Sequence, residues 1–117
     1  KNYMSIDGGM TDNPRFALYK ANYTCLLANK MTEPCDFEVS VVGRCCESGD
    51  IIQEHVMLPA SVGRGDIVAV CTTGAYNYTM ASHYNRLPKP PVVMLRGGES
   101  YVAVRRESFA DLCRNDV

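Results

Sequence analysis

Apolar residues in this chain recur mostly at every second position, in short runs that end at glycine, aspartate or proline. "NYMSI" (2–6) alternates and stops at Asp7-Gly8-Gly9. "FEVSVVGRC" (37–45) alternates with β-branched residues, and "IIQEHVML" (51–58) follows after Ser48-Gly49-Asp50. "IVAVCTT" (67–73) is a nearly continuous apolar run introduced by Gly63-Arg64-Gly65-Asp66. "PVVML" (91–95) and "YVAVRR" (101–106) flank a turn with Gly97-Gly98 at its tip, the pattern of a β-hairpin. Period-two runs at this spacing, six in all, predict an all-β fold with short helices, a Greek-key-like barrel or sandwich.

Three segments break the alternation. "NPRFALYKANY" (13–23) opens on an Asn-Pro turn and has room for one helical turn. "TTGAYNYTMASHYN" (72–85) predicts an amphipathic helix after a strand, with Thr72 or Thr73 as N-cap and Gly74 allowing close approach. "ESFADLC" (107–113) predicts a helical turn near the C-terminus, and the prolines of "LPKPPVV" (87–93) make a stiff connector. No internal repeat divides the chain, and its first residues read as mid-strand, as expected for a piece of a longer protein.

The 117 residues are 46% hydrophobic and 21% charged, enough apolar material for one core. A net charge of -1, from 12 basic and 13 acidic residues, leaves no electrostatic footprint for nucleic acid or an anionic membrane. No apolar run approaches a bilayer span and no signal peptide is visible, so the expectation is a soluble, cytoplasmic protein. In that compartment the six cysteines are expected as thiols. They form no C-x-x-C pair, and neither His55 nor His83 falls in a ligand pattern, so no metal site is predicted. Cys25, Cys71 and Cys113 read as small buried hydrophobes.

Candidate chemistry collects in three places, each with a plainer reading beside it. Strand alternation would send Cys45 and Cys46 to opposite faces. An exposed Cys46 with Glu47 and Asp50 nearby would keep its proton and make a usable proton donor; the plain alternative is a β-turn with a buried thiol. Arg15 and Tyr19, four apart, would share one face of a helical turn and form a carboxylate clamp; otherwise they are a surface arginine and a tyrosine capping the core. Gly74-Ala75-Tyr76, at a helix start, would offer backbone N–H groups and a phenol to a phosphate; glycine and tyrosine are also ordinary packing there, as Tyr78 and Tyr84 are. His83 has no nucleophile at triad-like spacing, which argues against a hydrolase.

Taken together, "DGGMTDNPRFALY", "GRCCESGD", "GAYNYTMASHYN" and the "LPKPPVVML" to "RRE" hairpin resemble, in order and spacing, the C-terminal domain of the diaminopimelate decarboxylase family. The resemblance covers essentially the whole chain, with one departure: Phe16 stands where the family usually has proline, which is expected to loosen the local backbone.

The resemblance implies the C-terminal β domain, residues 1–117, of an alanine racemase/ornithine decarboxylase-like two-domain enzyme. An α/β barrel carrying the Schiff-base lysine for pyridoxal 5'-phosphate would precede it, so the piece alone would be inactive. The implied reaction is decarboxylation of meso-2,6-diaminopimelate to L-lysine and CO2. Cys46 would be the catalytic proton donor, and Glu47 would pair with the distal ammonium. Arg15 and Tyr19 would hold the distal carboxylate, and Tyr76 would reach both cofactor phosphate and substrate. The implied assembly is a homodimer with shared sites, the Cys46–Glu47 loop coming from the partner subunit. The alternatives are a decarboxylase of ornithine, arginine or carboxynorspermidine, a non-enzymatic β-barrel binding module, or a regulatory protein without the barrel.

Overall fold

The computed structural model describes residues 1–117 as a mostly-sheet domain with short helices. In chain order the elements are β1 (Tyr3–Ser5), α1 (Arg15–Tyr19), β2 (Cys25–Leu27), β3 (Phe37–Val42), β4 (Ile51–Leu58), β5 (Val68–Val70), α2 (Asn77–Met80), β6 (Val92–Arg96), β7 (Glu99–Val104) and α3 (Phe109–Cys113), with a 3-10 turn at Tyr84–Arg86 between α2 and β6.

Strand β3 organises the fold because it is paired along both edges. It runs parallel to β1, with Met4 opposite Val41, and antiparallel to β4, with Phe37 opposite Leu58. Val39, Ser40 and Val41 are all buried as a result. The β3–β4 register slips twice, on either side of Val41. Within the first slip His55 takes a left-handed φ of 56°, and next to it Gln53 turns inward to accept a hydrogen bond from Tyr23 N at 2.8 Å. That bond ties the segment leading into β2 to the central sheet. The β2–β5 pair then packs Cys25 and Leu27 against Val39, Val41, Ile52, Val56 and Leu58 to complete the core.

No closed barrel forms, contrary to the sequence expectation. Three sheets, β1-β3-β4, β2-β5 and β6-β7, stand with no hydrogen-bonded strand connecting them. The physical reason is length: β1, β2 and β5 are three residues each, too short to carry a ladder from one sheet to the next. Strand β2 was not anticipated, because "CLL" is too short to show alternation. The hairpin β6–β7 turns as expected at Gly97-Gly98, both with positive φ (60° and 81°), as a two-residue primed turn requires. Both faces of this ribbon carry exposed apolar residues, Leu95 and Val102 on one and Met94 and Tyr101 on the other.

The helix expected over 72–85 shrinks to α2 and the 3-10 turn. Tyr76, not Thr72 or Thr73, occupies the N-cap, and nothing lies near enough to Gly74 for a side chain there to meet it. Phe16 is the buried residue of α1 and anchors it. Cys25 is buried as expected, whereas Cys113 is exposed near the C-terminus, where α3 has no buried residue. No helix is long and apolar enough to cross a membrane.

Leu58 is 0% exposed, so Leu58→Ala is expected to destabilise the fold by about 2–5 kcal/mol, read as a lowered urea midpoint at unchanged slope. A loss under about 0.5 kcal/mol would place Leu58 outside the core.

Candidate functional site

The Cys45–Cys46 turn is set by what lies beneath it. Strand β3 ends at Val42, and Gly43 N donates to Asp50 O at 2.9 Å, closing a loop over 43–50. The Asp50 side chain is 3% exposed. One of its oxygens accepts from Met10 N at 2.6 Å and the other from Cys45 N at 2.7 Å. A Cβ added at Gly9 would lie 2.8 Å from this carboxylate, and one at Gly43 would overlap it outright. Glycine at both positions is therefore the space the carboxylate occupies.

Strand alternation does not place the two cysteines, because residues 44–46 form a bend beyond the end of β3. The separation it predicted is nevertheless present: Cys45 is half-buried and Cys46 exposed. Asp50 reaches Cys45, accepting from its backbone N–H. Burial first, then the adjacent Asp50 carboxylate, pushes the Cys45 thiol above its usual range.

Cys46 N donates to Asn85 Oδ1 at 2.8 Å. The Glu47 carboxylate folds back on its own turn, accepting from Gly49 N at 2.9 Å and Ser48 Oγ at 3.3 Å, while the Tyr84 hydroxyl reaches it at 3.4 Å. The Gly49 and Ser48 bonds hold Glu47 below the usual glutamate range, with Tyr84 adding to them. Tyr84 in turn is raised, by partial desolvation and by the Glu47 charge. Tyr84 therefore belongs to this turn and is not simple packing, and Asn85 joins it unanticipated. A backbone partner 39 residues away leaves no local spacing signal.

A second group forms on α1. Asn13 Oδ1 accepts from Arg15 N at 3.2 Å at the helix start. The Arg15 guanidinium then lies 5.5 Å from the Tyr19 ring and 5.3 Å from the Tyr76 ring. No carboxylate pairs with it; its side-chain contact is Met80 Sδ at 3.9 Å. Arg15 and Tyr76 line a cleft of about 310 Å³ with Tyr23, Cys71 and Thr72. Two non-glycine residues on that wall have left-handed backbones, Thr72 (φ 60°) and Tyr76 (φ 72°). Such geometry is costly for β-branched and bulky residues and concentrates at ligand sites. The helix start at Gly74-Ala75-Tyr76 heads only four residues, and Tyr76 there is exposed.

The predicted residues thus fall into two groups, Arg15–Tyr19–Tyr76 and Cys46–Glu47, and the cleft that Arg15 and Tyr76 line includes neither Cys46 nor Glu47. Asn13 and Asn77 flank the first group from within. Both are buried, and Asn13 Nδ2 and both polar atoms of the Asn77 carboxamide lack partners along a neighbouring cavity of about 490 Å³.

The fold falls in the class of small open sheet domains with short helices, and it displays an arginine–tyrosine cluster on one element and a thiol–carboxylate turn on another. Comparison with known proteins makes the class specific. Residues 1–74 match the family described as pyridoxal-dependent decarboxylase, C-terminal sheet domain, and the chain belongs to that family. It is 46% identical over 117 residues to a diaminopimelate decarboxylase of Bacillus subtilis, covering 100% of this chain and 26% of the relative. It is 49% identical over 115 residues to one of Staphylococcus aureus, covering 98% and 27%. The fold superposes on a crystal structure of diaminopimelate decarboxylase from M. jannaschii in complex with L-lysine, at a TM-score of 0.89 and 31% identity over 98% of this chain and 26% of that one. The chain thus spans about a quarter of the length of the relatives it matches.

Two measurements check the turn. Asp50→Ala orphans two backbone amides, each expected to cost about 1–3 kcal/mol, whereas Asp50→Asn, which keeps an acceptor, should cost less by denaturant unfolding. Equal losses in the two would show that hydrogen bonding by Asp50 does not hold the loop. Glu47 has a lowered folded-state pKa, so its stabilising bonds are in place above the usual glutamate value and are lost as pH falls through the lowered one. By NMR its carboxylate should titrate below the usual glutamate range, and Ser48→Ala should move it upward.

Proposed function

We propose that this chain is the C-terminal β domain of a two-domain, alanine racemase/ornithine decarboxylase-like enzyme that converts meso-2,6-diaminopimelate to L-lysine and CO2. The observation that carries the reading is the Arg15 guanidinium, held between two phenol rings at the edge of a cleft with no carboxylate of its own. A planar cation with two flanking hydroxyls is a receptor for a carboxylate from outside the chain. Diaminopimelate carries one at its distal end, and ornithine and arginine do not. A substrate lacking it would leave Arg15 and Tyr19 unsatisfied, which is the costly way to bind wrongly.

The relatives' family is pyridoxal-dependent, and the residues present fit the rim of such a cofactor's site. Tyr76 offers an exposed phenol to a phosphate. No lysine lines the cleft beside it, which agrees with a Schiff-base lysine supplied by the barrel. Pyridoxal 5'-phosphate supplies the electron sink that makes loss of CO2 feasible. The chain's own work is to orient the substrate and deliver a proton. Arg15 and Tyr19 hold the distal carboxylate, and Glu47 pairs with the distal ammonium. Cys46 Sγ gives its proton to the carbon from which the carboxyl group has left, so that a C–H bond replaces the broken C–C bond.

The division of these residues into two groups supports a homodimer in which the Cys46–Glu47 turn serves the partner's cleft. The six cysteines are free, which agrees with a cytoplasmic enzyme. The unpaired sheet edges are where the rest of the protein would complete the barrel or sandwich.

The test is CO2 release by the full-length protein with pyridoxal phosphate, offered diaminopimelate, ornithine and arginine separately. Release from diaminopimelate is expected; release from ornithine or arginine instead would overturn the clamp. Cys46→Ala should lower kcat by about 10²–10⁴-fold, while Cys45→Ala chiefly lowers stability. Arg15→Ala should raise KM for diaminopimelate by about tenfold or more.

A further inference from the structure

Four successive residues, His83 to Arg86, each send a side chain to a different anchor. His83 Nε2 lies 2.6 Å from Glu107 Oε2. The Tyr84 hydroxyl donates to Glu47 Oε2 at 3.4 Å, and Asn85 Oδ1 accepts from Cys46 N at 2.8 Å. Arg86 donates to Asp116 Oδ2 at 2.6 Å and to Cys113 Sγ at 3.4 Å. The outer pair grips the C-terminal segment, and the inner pair holds the thiol turn. The segment keeps this form against its own backbone preference, since Asn85 (φ 55°) and Arg86 (φ 54°) are consecutive left-handed residues. Asparagine tolerates that geometry better than most, but two in succession persist only where surrounding contacts over-determine them.

Cys45 is pinned from below by Asp50, and Glu47 is pinned by its own turn. Between them, the Cys46 backbone N–H has Asn85 as its partner. We propose that Asn85 is a positioning residue for the Cys46 thiol, and that residues 83–86 form a strap coupling the C-terminal segment to the proton-donating turn. The strap rests on the reading of Cys46 as proton donor.

Two substitutions separate the hydrogen bond from the backbone. Asn85→Gly adopts φ 55° freely but removes the acceptor, so it should fold. Asn85→Asp keeps an acceptor and tolerates the conformation. In the full-length holoenzyme with diaminopimelate, Asn85→Gly should lower kcat about tenfold or more while KM stays within about twofold, and Asn85→Asp should restore most of it. Amide hydrogen exchange at Cys46 should quicken in the glycine variant and slow again in the aspartate one, a change that a role in general stability would not confine to one amide.

Cys46→Ala is assayed alongside. Lost turnover there, with full turnover and unchanged Cys46 exchange in Asn85→Gly, overturns the strap alone. Full turnover in Cys46→Ala overturns the proton-donor reading, and the positioning role falls with it.

Discussion

The Asp50 carboxylate is the contact on which the candidate site depends. It is a buried charged group at the exit of a loop, and it joins two stretches far apart in sequence by accepting one backbone N–H from each, Met10 and Cys45. A buried carboxylate is tolerable only when such partners replace water, and leaving either amide unpaired costs more than the bond itself returns. Because β1 is a three-residue edge strand, the loop that follows it leans on this carboxylate and on two backbone bonds, Ile6 N to Val42 O at 2.9 Å and Arg44 N to Gly8 O at 3.2 Å. Through the same loop, Thr11 O accepts from Ser82 N at 2.9 Å. The segments carrying Arg15, Cys46 and the 83–86 strap are thereby referred to one fixed point.

The separation between clamp and thiol turn follows from where these segments lie. Arg15 and Tyr19 ride on a helix of five residues anchored by Phe16, and Tyr76, beyond the end of β5, meets the Arg15 guanidinium. Cys46 and Glu47 lie beyond β3, facing the chain's last third. The two groups stay apart within a chain that spans about a quarter of its relatives' length.

Much of the fold was legible from alternation alone. Strand β4 and the Gly97-Gly98 hairpin read directly, because long runs and turn glycines are local signals. Strand β2 did not, since three residues carry no period. The helix over 72–85 was overdrawn: its apolar spacing is real, but left-handed residues at Tyr76 and Asn85 and the extended Ala81 (ψ 142°) interrupt the helical path, and tertiary contacts prevailed over propensity. Within the site, Arg15 and Tyr19 at i, i+4 were a spacing argument and are brought to the same ring–guanidinium cluster. The different exposure of Cys45 and Cys46 was foreseen for a reason that does not hold, since a buried aspartate does what strand geometry was expected to do. Asn85 and Tyr84 escaped because nothing in their neighbourhood points across the chain to the thiol turn.

Tyr76 shows how the polypeptide weighs competing demands. A bulky residue at φ 72° carries a conformational penalty on the order of 1–3 kcal/mol that glycine would avoid. Its ring is 67% exposed, so core packing returns little of that penalty. By the measure of stability alone the position belongs to glycine. A tyrosine there gives up backbone stability and gains a phenol ring set beside the Arg15 guanidinium.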